Sequence, residues 1–204
     1  MWNGTDSEIE VLWIRHGMTK ANKEHRYLGK TDEALSTEGK KALLAQWKTK
    51  TDLLSSVDKI YCSPMKRCVE TAELLFPKNQ DYQVISQWQE MDFGRFEYRN
   101  YKELNGDPDY QAWIDSGGML PFPEGESRDE FIQRSMEGWK AVCSELKAEQ
   151  QLGHPIRRIC CIVHGGTIMA VLSTLLGGDY YDYQIGNGEM KFIKSSRHSF
   201  LPLV

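Results

Sequence analysis

Two short apolar runs, separated by most of the chain, end on the same pair of residues. Ile9-Glu10-Val11-Leu12-Trp13-Ile14 stops at Arg15-His16-Gly17, and Arg158-Ile159-Cys160-Cys161-Ile162-Val163 stops at His164-Gly165-Gly166. Runs of this length, rich in β-branched residues and closed by a glycine loop, read as buried strands. A helix capped by Ser36 and running through Lys40, Leu44 and Trp47 follows the first, and an apolar helix reaching Leu176 follows the second. Between them Lys59-Ile60-Tyr61-Cys62 repeats the strand pattern. Ser63-Pro64 then offers a capping hydroxyl and a proline at the first position of a helix expected to end near Phe76. Strands alternating with helices predict an α/β fold of three layers (α/β/α), with a largely parallel central sheet covered on both faces.

Ser127-Arg128-Asp129-Glu130 has the spacing of a capping box. Phe131, Ile132, Ser135, Trp139, Val142, Cys143 and Leu146 then recur on one helical face. The stretch 92–126 is irregular and rich in Gly, Pro and aromatic residues, and it reads as a lid or substrate wall within a single domain spanning 1–204. With 204 residues, one core can cover the chain.

A net charge of −4 gives no general attraction to nucleic acid or to an acidic membrane, so anion binding must come from a local basic cluster. Met1 to Glu8 is polar and acidic where a signal peptide is basic and then apolar. No apolar run approaches the ~18 residues that span a bilayer. A cytoplasmic protein is expected. The five cysteines, Cys62, Cys68, Cys143, Cys160 and Cys161, form no C-x-x-C pair, which suits buried thiols better than a disulfide framework or a zinc site.

Ligands of open α/β sheets bind beyond the carboxyl ends of the strands. Both His16 and His164 fall there, with Arg15 beside His16 and Arg67 in the first turn of the helix after Ser63. A lone strand-end histidine is ordinarily a structural hydrogen-bonder, and a lone arginine a surface ion pair. The matched pair with basic neighbours points instead to a phosphate site, because guanidinium groups donate several hydrogen bonds at fixed geometry and stay charged. Helix N-termini after Ser63 and Gly166 add oriented N–H groups. Two histidines and a carboxylate can also hold a metal. Here Arg15 and Arg67 would repel a divalent cation, so neither metal nor cofactor is expected.

In chain order, Arg15-His16-Gly17-Met18-Thr19 with Asn22, Leu35-Ser36-Thr37-Glu38-Gly39, Ser63-Pro64-x-x-Arg67-x-x-x-Thr71-Ala72 and His164-Gly165-Gly166-Thr167 resemble the histidine phosphatase superfamily. The resemblance implies a phosphoglycerate mutase-like fold and a small phosphate monoester as substrate. It makes His16 the nucleophile, with Arg15, Asn22, Arg67 and His164 binding the phosphoryl oxygens, and Glu90 the proton donor. Asp92 and Glu97 lie close to Glu90 and read as solvated or structural carboxylates. Met18 departs from the Glu or Gln most often found at its position. Thr19 is a hydroxyl contact or a helix cap.

The superfamily also contains mutases, which are longer between the acid and the last helix. This chain has only 36 residues from 90 to 125 inclusive, favouring water as the acceptor. Glu90 to Leu104 and Ala112 to Ser127 look most like the α-ribazole phosphatases, which implies α-ribazole 5′-phosphate of cobalamin synthesis as substrate. Tyr98, Tyr101, Trp113 and Phe122 would then stack on its base, or else pack the wall on the core. A broad-specificity phosphomonoesterase, a phosphoglycerate mutase and a non-catalytic phosphate-binding module are the competing readings. His25, His154 and His198 match no motif, and oligomeric state leaves no sequence signal.

Overall fold

The computed structural model describes residues 8–78, 81–154 and 156–196; His198 and the acidic stretch before Glu8 lie outside them. Five strands, β1 (Glu8–Arg15), β2 (Lys59–Cys62), β3 (Tyr82–Val84), β4 (Arg158–Val163) and β5 (Met190–Ser196), form one sheet in the order β3-β2-β4-β1-β5. The first four run parallel, and β5 pairs antiparallel with β1 at the edge. The helices are α1 (Lys20–Lys23), α2 (Thr37–Trp47), α3 (Thr51–Ser55), α4 (Lys66–Leu75), α5 (Pro108–Asp115), α6 (Arg128–Gln151) and α7 (Gly165–Leu176).

Alternation along β1 and β4 divides the core into the layers expected. Val11, Trp13, Ile159, Cys161 and Val163 pack with Trp139, Val142 and Leu146 of α6 and Ile168, Val171 and Leu172 of α7. Leu12, Ile14, Cys160 and Ile162 point the other way, onto Leu43 and Trp47 of α2 and Cys68, Ala72 and Leu75 of α4. The sheet is thus sandwiched, which explains why its central strands read as unbroken apolar runs. All five cysteines are buried, and no helix among the described residues is long and apolar enough to cross a membrane.

Local signals account for most boundaries. The Ser36 hydroxyl accepts from Gly39 N, and Ser127 and Glu130 form the reciprocal capping box that starts the 24-residue α6. Ser63 differs from expectation: α4 begins at Lys66 after Met65, without a side-chain cap. Its hydroxyl is committed to His164 instead, at 2.7 Å from Nε2. The stretch 92–126 also holds more order than its composition suggests, because Asp107 caps α5 and Pro108 occupies its first turn. There Phe96, Leu104 and Phe122 join Met91, Phe131 and Ala170 in a third apolar cluster beside the strand ends.

Trp139 is 1% exposed and its ring lies 5.3 Å from that of Trp13, so it ties α6 to the sheet. Trp139→Ala is expected to cost about 3–5 kcal/mol of unfolding free energy by urea titration. A loss below about 1 kcal/mol would mean that the layer closes without the ring.

Candidate active site

The carboxyl ends of β1 and β4 are adjacent, Arg15 pairing in register with Val163, so the residues that follow them meet. The rings of His16 and His164 stand 5.2 Å apart, nearly edge to face. The His16 Nδ1 lies 2.7 Å from the carbonyl oxygen of Gly17. A carbonyl can only accept, so Nδ1 carries the proton and Nε2 keeps its lone pair. Burial first, and then the charges of Arg67 and Arg15, hold the His16 pKa well below its ordinary 6.5. The imidazole is neutral, with a free nitrogen.

Arg67 is fully buried with no carboxylate bonded to it. It donates through Nη1 to Thr31 O at 2.9 Å, through Nη2 to Gly29 O at 2.8 Å and through Nε to His164 Nδ1 at 3.3 Å. Two of its five N–H donors remain, and its charge is met by no direct ion pair. Because Nδ1 of His164 accepts from Arg67, its proton sits on Nε2 and is donated to Ser63. Burial and the same cations hold His164 neutral as well. Arg15 donates to Ile185 O at 2.7 Å, while its Nε is buried without a partner beside Gly165, the first residue of α7.

Arg15, His16, Asn22 and Glu90 line one cavity of about 320 Å³, whereas Arg67 and His164 lie behind its surface. Asn22 completes the Thr19 capping box of α1, its Oδ1 accepting from Thr19 N and from Asn187 Nδ2. Thr19 is therefore a cap. Glu90 is half-buried, with Oε1 accepting from Met91 N at 3.0 Å and lying against the backbone of Gly166. A Cβ on Gly166 would come within 2.5 Å of that oxygen, so a side chain there would push the carboxyl aside. Burial raises the Glu90 pKa above 4.5, against the opposing pull of Met91 N–H, Arg67 and Arg15.

The neighbouring carboxylates have structural partners. Asp92 pairs with Lys30 at 2.8 Å, and Glu97 accepts from the backbone of Gly29 and Thr31, whose carbonyls hold Arg67. Met18 does not reach the cavity, and its carbonyl accepts from Ser36 N. Trp113 and Phe122 line the wall, but Tyr98 and Tyr101 do not: Tyr98 is turned out at φ 60° with its hydroxyl on Glu33. Asn187, unnoticed in the sequence, bonds both His16 O and Asn22 Oδ1. Its only sequence signal is the Gly-Asn-Gly turn at 186–188, which says nothing of a site. Among the described residues no three His, Cys, Asp or Glu side chains are grouped as metal ligands.

Nitrogen-resolved NMR of the resting protein should show an Nδ1–H tautomer for His16 and an Nε2–H tautomer for His164, both persisting as pH falls through 6.5. A midpoint at or above 6.5 for either ring would contradict the burial and charge argument.

The histidine phosphatase superfamily (branch 1) model matches residues 11–200. The adenosylcobalamin/alpha-ribazole phosphatase of Escherichia coli is 30% identical over 172 residues, covering 81% of this chain and 79% of the relative. A metal-independent phosphoserine phosphatase of Arabidopsis thaliana is 27% identical over 175 residues, covering 81% and 68%. The crystal structure of the alpha-ribazole phosphatase from Shigella flexneri superposes with a TM-score of 0.67 over 90% of this chain and 89% of its own, at 22% identity. With its paired strand-end histidines inside the matched region, the chain belongs to the histidine phosphatase superfamily and has the phosphoglycerate mutase-like α/β fold.

Proposed function

We propose that the protein hydrolyses a phosphate monoester through a phosphohistidine at His16, with α-ribazole 5′-phosphate the substrate that its cavity and relatives favour. The observation that carries the reaction is the tautomer: Nδ1 is tied to Gly17 O, which leaves Nε2 of a cavity-lining imidazole unprotonated. In the first step Nε2 attacks phosphorus as the ester P–O bond breaks, and Glu90 passes its proton to the leaving oxygen. Water then attacks phosphorus, returns a proton to Glu90 and displaces Nε2, releasing phosphate.

The unpartnered Nε of Arg15 and the side chain of Asn22 supply hydrogen bonds for the phosphoryl oxygens, and Arg67, behind the cavity surface, adds its positive charge. His164 holds Arg67 through Nδ1 and so acts on the phosphoryl group only through that guanidinium. Protons need not be moved to bind the anion. The substrate preference rests on the wall contributed by 92–126, where Phe93, Trp113 and Phe122 join Tyr27 and Tyr180 around the cavity. Rings of that number suit a leaving group with a large flat apolar body. The E. coli relative is named for adenosylcobalamin and alpha-ribazole, and the plant relative for phosphoserine, so phosphomonoester hydrolysis is common to both names.

Phosphate release measured with a chelator present should be faster in kcat/KM for α-ribazole 5′-phosphate than for 3-phosphoglycerate or an aryl phosphate. Comparable values would leave the mechanism standing and make the enzyme a broad phosphatase. His16→Ala should lower turnover by about 10⁴-fold or more, while a binding module would keep its ligand.

Glu90→Gln gives a separate test of the acid. It should lower kcat by about 10²–10⁴-fold for an alkyl ester, whose leaving oxygen needs a proton. The loss should be far smaller for 4-nitrophenyl phosphate, whose leaving group departs as the anion. Equal losses for both esters would assign the proton to another group.

A further inference from the structure

The cavity has a further basic element that the phosphoryl step does not use. Arg128, the first residue of α6, lines it together with Trp113, Gly118, Tyr180 and Tyr181. Its guanidinium lies 5.0 Å from the centroid of the Tyr180 ring and 5.3 Å from that of Tyr181. Nη2 donates to Gly117 O, Gly118 O and the Tyr181 hydroxyl at 3.1–3.2 Å, and Nη1 contacts Met119 Sδ. Every one of those acceptors is neutral. Arg26, which also lines the cavity, is by contrast neutralised by Glu24 and Glu103.

Around Arg128 the wall is built to hold that cation in place. Gly118 sits at φ +72°, and a Cβ there would come within 3.1 Å of both Trp113 and the Tyr181 hydroxyl and 3.3 Å of Arg128 Nη2. The indole N–H of Trp113 is buried and has no acceptor. The unpaired buried donor costs free energy that a ligand acceptor would recover, and the Arg128 charge, met by neutral groups in the protein, is free to pair with such an acceptor. Tyr180 connects this wall to the catalytic end, its hydroxyl 3.4 Å from Gly166 O beside Glu90.

We propose that Arg128 is a specificity-determining residue that reads a hydrogen-bond acceptor on the leaving group of the phosphate ester, while the aromatic rings beside it hold that group's flat body. This rests on the phosphatase reading and deepens it. A ring nitrogen bearing a lone pair, as on a benzimidazole, and a carboxylate both present such an acceptor. Guanidinium groups read ring nitrogens in guanine by the same chemistry.

The test compares the intact wild-type chain with Arg128→Met and Arg128→Lys on three esters: α-ribazole 5′-phosphate, 4-carboxyphenyl phosphate and phenyl phosphate. The quantity read is kcat/KM for each acceptor-bearing ester divided by that for phenyl phosphate, so that a general loss from disturbed folding cancels. Arg128→Met should lower one of these ratios by about 10-fold to 100-fold, with Arg128→Lys intermediate. A fall confined to α-ribazole 5′-phosphate assigns the acceptor to a ring nitrogen, and a fall confined to the carboxylated ester assigns it to an anion. Both ratios unchanged within about twofold would overturn the proposal, whatever happened to the absolute rates. Wild-type protein that hydrolysed none of the esters would remove the phosphatase reading instead. In that event calorimetric binding of the same three compounds to His16-intact wild type and to Arg128→Met decides the Arg128 proposal by the same ratios.

Discussion

The site depends on one buried guanidinium. Arg67 has no exposed surface and no bonded carboxylate, and a charge so placed is tolerated only where hydrogen bonds replace its water. The replacements come from three directions, and each dictates a piece of structure. Gly29 and Thr31 must turn their carbonyls inward, which they do because Glu97 gathers their N–H groups from the other side. A Cβ at Gly29 would meet Met91 O at 2.0 Å, so the loop can approach that closely only as glycine. His164 must present a lone pair at Nδ1, which fixes its proton on Nε2 and takes the Ser63 hydroxyl away from capping α4. Thr71, one turn along the same helix, accepts from Gly17 N and so locks the His16 loop to the helix that carries Arg67.

How much of this was legible in the sequence follows from where the information resides. Side chains at strand ends announce themselves, since an apolar run that stops at His-Gly fixes both the element and the rim. Arg15, His16 and His164 could be placed at one rim for that reason, and Arg67 through the helix start expected after Ser63-Pro64. Glu90 was singled out only through resemblance, because it stands among Asp92 and Glu97 with no local pattern to separate the three. Contributions from backbone were invisible: any residue has a carbonyl, so nothing marked Gly29, Thr31 or Ile185 as holding arginines. The edge strands β3 and β5 are short or half-exposed and carry weak patterns. Tyr98 and Tyr101 failed as wall residues because composition cannot say which way a turn residue points, and Tyr98 occupies a left-handed turn that swings its ring outward.

The two protonation states that the chemistry needs have a common origin. Burial disfavours whichever form of a group is charged, so it pushes an imidazole towards neutrality from above and a carboxyl towards neutrality from below. At this rim it lowers the His16 pKa and raises that of Glu90, giving a neutral imidazole and a carboxyl with a longer hold on its proton, the states that the proposed nucleophile and acid require. Arg15 and Arg67 pull both values down. That helps the histidine and opposes the acid, and the net shift of Glu90 is upward because its desolvation outweighs both cations. In the proposed reaction a phosphate dianion in the cavity would offset those same cations and push Glu90 further towards the protonated form. The cost falls on stability. As pH drops below 6.5 the unfolded chain takes up protons at His16 and His164 that the folded chain refuses, so stability is lost in that window. The burial that holds both histidines neutral therefore leaves the protein less tolerant of acid than its surface charges alone would require.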